Sequence, residues 1–221
     1  KSTVDFKRMR ELFFAKDNYT LSGAGRFSGV FHLFKGGRAL TGDFESDIAG
    51  LQIGGRDYEF PNLKGKLGWY PNRFEVMDTT TGFHGGEASL KYSILSSGKP
   101  GQASNARFDV EWRDIDLADY SDFLVIQGVR LSGRWSGRNL LQWPLGRFRE
   151  RLGDGYSAVV PPAGVEVLAG IRASQSASGM DRGGVHPPIG HLPIAGEVTY
   201  RYDPNWVEFA DARFSTPSTD A

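Results

Sequence analysis

Apolar and polar residues alternate with a period of two along much of the chain. Residues 107–114, RFDVEWRD, set Phe108, Val110 and Trp112 against Arg107, Asp109, Glu111 and Arg113. That alternation predicts a β-strand with one wet and one apolar face. Residues 86–94, GEASLKYSI, place Ala88, Leu90, Tyr92 and Ile94 on one side, with Glu87, Ser89, Lys91 and Ser93 on the other. Residues 62–70 align Leu63, Gly65, Leu67 and Trp69, and residues 196–202 align Val198, Tyr200 and Tyr202 opposite Glu197, Thr199 and Arg201. Weaker strand patterns run over 25–35, 38–46, 73–78, 129–136, 156–160, 165–171 and 206–214. With Gly, Pro and Asn at the junctions, the pattern predicts about ten to twelve strands, mostly in meander order.

Helical spacing is scarce. Over 114–128, Leu117, Tyr120 and Leu124 fall at i, i+3 and i+7, with Asp116 placed as N-cap and Gly128 just past the end. Over 4–14, Phe6, Met9 and Phe13 fall at similar spacing. Two short helices cannot cover ten strands, so what covers the apolar faces becomes the central question. Residues 172–193 carry Ser, Gly and Pro without periodicity, which predicts a long surface loop inserted into the fold.

The chain also repeats itself. LSGAGRFSG at 21–29 matches LSGRWSG at 131–137, and PNRFEVMD at 71–78 matches PNWVEFAD at 204–211. Each LSG follows a helical pattern, Asp5 lying 16 residues before Leu21 and Asp116 lying 15 before Leu131. Leu131 follows Leu21 by 110 positions, and Pro204 follows Pro71 by 133. The larger second offset is what an insertion the size of 172–193 produces. The expected organisation is one continuous segment of a longer protein, with approximate repeats 5–114 and 115–221.

Composition narrows the classes. Lys+Arg and Asp+Glu balance at 26 each, so no global charge recruits nucleic acid or an anionic membrane. The chain has no cysteine, which removes disulfides and thiolate metal sites. No apolar run approaches the roughly 18 residues of a membrane helix. Glycine occurs 29 times and aromatics make up 13%, the mixture of an all-β chain with many tight turns.

Candidate chemistry is thin. His186 and His191 sit in the Pro/Gly-rich HPPIGH with no carboxylate beside them, and His32 and His84 stand alone. Asp114, Asp116, Asp119 and Asp122 lack the Gly and closing Glu of a calcium loop, and helix capping accounts for them. No nucleophile elbow or Walker loop occurs. The expectation is a non-catalytic protein without cofactor or metal.

Several of these segments resemble the AsmA-like superfamily, most closely its TamB-type members. The likeness rests on VEWRDIDL at 110–117, GVRLSGRWSG at 128–137, FPNLKGKL at 60–67 and WVEFADARFSTPST at 206–219. It implies an all-β fold in which a long curved antiparallel sheet forms an open groove, or taco. It further implies a periplasmic protein anchored in the inner membrane, with anchor and C-terminal family domain lying outside this chain. Such a protein moves phospholipid between membranes or serves outer-membrane assembly, and TamB-type members partner an Omp85-family outer-membrane barrel. Leu63, Leu67, Trp69, Ala88, Leu90, Tyr92, Ile94, Phe108, Val110, Trp112, Val198, Tyr200 and Tyr202 would then line the groove against phospholipid acyl chains. Two other architectures fit the same alternation: a closed β-sandwich that binds a ligand such as carbohydrate, and a fragment of an outer-membrane barrel.

Overall fold

The computed structural model describes residues 2–13, 19–98, 103–125, 130–163, 165 and 190–216. Its first half contains β1 (Ser2–Asp5), α1 (Phe6–Phe13), β2 (Tyr19–Phe34), β3 (Gly37–Ile53), β4 (Arg56–Tyr70), β5 (Arg73–Phe83) and β6 (Gly86–Leu95). There follow β7 (Asn105–Asp116), α2 (Leu117–Leu124), β8 (Leu131–Ser132), β9 (Arg134–Pro144) and a 3-10 turn at Phe148–Glu150. Then come β10 (Leu152–Val160), β11 (Leu192–Pro193), β12 (Ala195–Tyr202) and β13 (Val207–Ser215). Eleven strands form one antiparallel sheet in the order β1-β2-β3-β4-β5-β6-β7-β9-β10-β12-β13, with β1 and β13 at its open ends. The fold is therefore all-β and open. Among the described residues the one other sheet is the two-stranded β8–β11 pair, too small to back eleven strands as the second layer of a sandwich, and the two ends of the large sheet do not close into a barrel.

Turn chemistry explains the meander. Gly36, Gly54, Gly55 and Gly85 all have positive φ at the reversals between β2 and β3, β3 and β4, and β5 and β6. Such angles strain any residue with a Cβ. α2 begins where expected: the Asp116 carboxylate accepts from Ala118 N at 2.9 Å and Asp119 N at 3.4 Å, satisfying amides that no helical carbonyl can reach. It stops at Val125, whose φ of 51° is left-handed. Gly128, read as the stop, lies outside the described residues.

Several strands run beyond their sequence patterns. β1 occupies the start of the segment read as helical, and α1 begins only at Phe6. β4 runs through Pro61, which has no amide hydrogen to give a neighbour. The proline is tolerated because the β4–β5 ladder ends at Lys64↔Thr80, where Thr81 Oγ1 donates to Pro61 O at 2.9 Å instead. β9 extends to Pro144 rather than stopping near 136. The strand pattern at 166–171 and most of the expected loop at 172–193 lie outside the described residues. The end of that loop is structured: Leu192 and Pro193 pair in parallel with Leu131 and Ser132.

The two LSG segments and the two PN segments carry matching irregularities. Val4↔Gly25 and Asp5↔Ala24 in the β1–β2 ladder correspond to Ile115↔Trp135 and Asp116↔Arg134 in the β7–β9 ladder. Phe6 and Leu117, the first residues of the two helices, are both 9% exposed. Gly23 and Gly133, in the paired LSG motifs, both have positive φ. A bulge interrupts β4–β5 between Lys64 and Lys66, and another interrupts β12–β13 between Glu197 and Thr199, 133 positions later. Asp78 and Asp211, each one of the two residues that bulge against a single partner, share a φ of 49°. Bulges sharpen twist, so both halves bend at the same place.

Candidate functional site: a one-sided apolar sheet face

Register settles which side chains share a face, because directly paired residues point the same way. Ala88, Leu90, Tyr92 and Ile94 on β6 pair with Trp112, Val110, Phe108 and Ala106 on β7. Phe108, Val110 and Trp112 pair in turn with Leu141, Asn139 and Gly137 on β9. Gly137, Asn139 and Leu141 meet Ser157, Gly155 and Gly153 on β10, which meet Val198, Tyr200 and Tyr202 on β12. In the other direction, Tyr92 meets Val76 on β5, which meets Leu67 on β4, while Trp69 joins Phe74 to Leu40 on β3. Leu63, two residues before Gly65, opposes Ser46 on the same side. All thirteen residues picked from the sequence thus lie on one face of the sheet.

The face is larger than the sequence pattern suggested. Phe27 and Phe31 on β2, Phe44 on β3, Leu141, Trp143 and Trp135 on β9, and Phe209 on β13 belong to it as well. The signal was present in the glycines. GRFSGVF at 25–31 alternates once Gly25, Gly29 and the two phenylalanines are counted on one side.

Glycine serves a specific purpose there. Phe44 lies over Gly65, Trp112 over Gly137 and Tyr200 over Gly155, each glycine being the ring's direct cross-strand partner or its neighbour. A ring laid flat on a glycine loses water from its lower side without any covering layer. Trp112 is accordingly 7% exposed and Val198 8%, although most of the face is half-buried and Trp69 is 43% exposed.

α2 closes one end. Phe123 meets Tyr58 on β4 at 5.0 Å between centroids, and Tyr120 meets Trp135 on β9 at 5.0 Å. Tyr120 and Phe123 are themselves 6.3 Å apart. Four strand intervals separate β4 from β9, about 19 Å in a flat sheet. Three ring-to-ring steps bridge it, so the sheet curls towards the helix. The Arg56 guanidinium, donating to Leu124 O at 2.7 Å, ties the helix end to β4. Ile115, directly before α2, is fully buried beneath this cluster.

The opposite face is predominantly polar, with scattered apolar side chains such as Val30, Leu140 and Tyr156. Lys91 pairs with Asp109, and Arg138 grips Asp109 with two hydrogen bonds of 2.9 and 2.7 Å. The guanidinium holds the Asp109 carboxyl below the usual carboxylate range. Lys66 bonds Asp78 at 2.9 Å, and Arg201 lies between Asp154 and Glu208. A shallow hollow of about 500 Å³ on this side is lined by both signs of charge, including Arg138, Asp154, Arg201 and Glu208. Mixed charge of this kind suits solvation rather than capture of an ion.

The histidines are held by carboxylates. His84 Nδ1 lies 2.6 Å from Asp119 Oδ2, and His191 Nε2 lies 2.9 Å from Asp122 Oδ1, so both rings anchor α2. Among the described residues no three His, Asp or Glu side chains gather as metal ligands. His186 lies outside them.

Burial has a measurable effect on the tyrosines of the apolar face. It pushes the Tyr200 phenol up to about 12. In the neutral state Tyr200 Oη donates to Asn139 Oδ1 at 2.6 Å. A phenol that ionises near 10 in the unfolded chain but later in the fold costs stability between those pH values. Stability should therefore fall as pH rises above 10, because the unfolded chain releases the proton first. Burial also raises Tyr120 and Tyr202, so phenolate absorbance followed against pH should show a late component that shrinks, without vanishing, in Tyr200→Phe.

Comparison with protein-family models, with curated proteins and with solved structures finds no match.

Proposed function

We propose that the apolar face is a trough for lipid acyl chains, and that the protein holds lipid without catalysis. One observation carries this reading: a continuous apolar face runs from β2 to β13 with a predominantly polar reverse side, and among the described residues what lies over it is short: α1, α2 and Phe148 of the 3-10 turn against Trp143. Covering a Leu or Phe side chain that is otherwise in water is worth roughly 1.5–3 kcal/mol. A face of this extent needs an occupant, and patches beyond a few hundred Å² mark binding surfaces. Acyl chains satisfy it because they need no directional partner along a floor of rings and aliphatic groups. The open ends of the sheet suit an extended ligand better than a compact one.

The resemblance to the AsmA-like, TamB-type proteins supports the same reading. On that reading the protein would work in the periplasm, passing phospholipid between inner and outer membranes or serving outer-membrane assembly with an Omp85-family barrel.

A photo-crosslinking residue separates the two faces. At Val110 or Leu90 it should capture phospholipid in cells, and at Asp109 or Lys91 it should not, because adjacent strand positions differ only in the side they present. Capture of protein from the Val110 position, or equal lipid capture on both faces, would refute the trough.

A further inference from the structure

We propose that the trough floor across β7, β9, β10 and β12 carries a hydrogen-bonding seat for an ester carbonyl, so that the ligand held there is an acyl ester and not a bare hydrocarbon chain. The inference rests on the reading of the apolar face as an acyl-chain trough, and it adds where along that trough the polar linkage of the lipid sits.

The seat begins with a donor that has no partner. Trp112 is 7% exposed, and its Nε1 is buried without a hydrogen bond among the described residues. Buried N–H groups nearly always find an acceptor, so one left over on an apolar face marks an acceptor that the chain itself does not supply. The ring edge that carries this nitrogen, Cε2 and Cζ2, lies over Gly137, whose partner across the β9–β10 ladder is Ser157. The neighbouring indole is satisfied: Trp135, 4.9 Å from Trp112 between centroids, donates from Nε1 to Ser157 Oγ at 2.9 Å.

The polar side chains here differ from those elsewhere on the face. In the first half, Ser46, Thr79 and Thr81 each donate to backbone carbonyls. Around Gly137 the bonds run from side chain to side chain. Asn139 lies two residues further along β9, and its Oδ1 accepts from Tyr200 Oη at 2.6 Å. Ser157 Oγ and Asn139 Oδ1 are therefore already accepting, and an indole nitrogen can only donate. What the cluster lacks is an acceptor.

The cluster is also uncharged. Arg138 and Arg201 stand on the polar face, paired with Asp109 and Glu208, and burial keeps the Tyr200 phenol neutral. A phosphate here would leave its charge uncompensated, and a hydroxyl would bring one more donor. An ester carbonyl brings an acceptor alone, joined to the hydrocarbon that the rest of the face covers.

The full chain would be incubated with vesicles of a diacyl phosphatidylcholine mixed equally with its dialkyl-ether analogue of the same chain lengths. It would then be re-isolated and its organic extract measured by mass spectrometry. The two lipids differ only in the carbonyls. The wild-type protein should take up the ester in about fivefold excess, the effect of one neutral hydrogen bond. Trp112→Phe, which keeps a ring without the N–H, should take up both equally. The Trp112 indole proton resonance of the wild-type protein should move on addition of the diacyl lipid and not of the ether, a readout independent of how well the variant folds. Equal uptake by the wild type, an ester preference that survives Trp112→Phe, or an indole resonance that answers both lipids alike would overturn the seat and leave the trough standing. Uptake of neither lipid would overturn both.

Discussion

Val110→Asp is expected to abolish phospholipid capture while leaving the protein folded. Val110 lies mid-strand on β7, half-buried, with Leu90 on one side and the Asn139 amide on the other. A carboxylate there has a polar neighbour and a route to water, so the fold should lose about 1 kcal/mol, a few degrees in Tm. Among acyl chains the same charge is unpaired, at a cost of several kcal/mol. The two costs fall on different states, which makes the outcome diagnostic. Organic extracts of the purified variant should lack the lipid that the wild type carries, with an unchanged circular dichroism spectrum. Unfolding of the variant would mean instead that protein packs on Val110, and the trough would be wrong.

Gly137→Ala should be strongly destabilising on the same face. Its added Cβ would lie under 3.0 Å from both the Tyr156 carbonyl oxygen and the Trp112 ring. The carbonyl belongs to the paired strand β10 and cannot rotate away, and the ring is held at 4.9 Å from Trp135 and 7% exposed. Either the β9–β10 ladder opens or Trp112 lifts off the sheet and exposes the indole. Overpacking of this kind costs about 2–3 kcal/mol, or about 4–12 °C in Tm for a chain of this size. The wavelength of tryptophan emission separates the two routes, since a lifted Trp112 shifts it to the red. An unchanged Tm would show that the ring and the strand accommodate a methyl group, and that glycine is not required there.

The most legible parts of the fold were those where a single rule governs. β6 and β7 follow strict alternation because one face is wet along their whole length, and Asp116 caps α2 because a carboxylate before an apolar helical run has few other uses. β9 hid because NLLQW breaks the period: Leu140 falls on the polar face, opposite Asp109 and Asp154. β2 and β3 showed only weaker and shorter patterns, at 25–35 and 38–46, because glycines occupy positions where a strand rule looks for bulk. Pro61 inside a central strand reads as a boundary until the missing ladder around Thr81 is known. For the site, sequence identified the middle of the face from β4 to β12. It missed the Tyr58, Phe83, Tyr120 and Phe123 cluster, because nothing local predicts that a short helix folds back over five strands.

Strand order and chain order coincide from one end of the sheet to the other, apart from the two short strands β8 and β11. Each long strand finds its partner in the long strand made just before it. Chain closure is then cheap at every step, the condition under which folding is fast for a β protein. It also means that the molecule can assemble vectorially, adding one strand at a time behind whatever pore or ribosome delivers it. No unpaired strand need wait for a distant complement, so the interval in which its apolar side could join another molecule is short. The parallel pairing of Leu192 with Leu131 and the His191–Asp122 contact come late, and they fix the second helix after most of the sheet beside it exists.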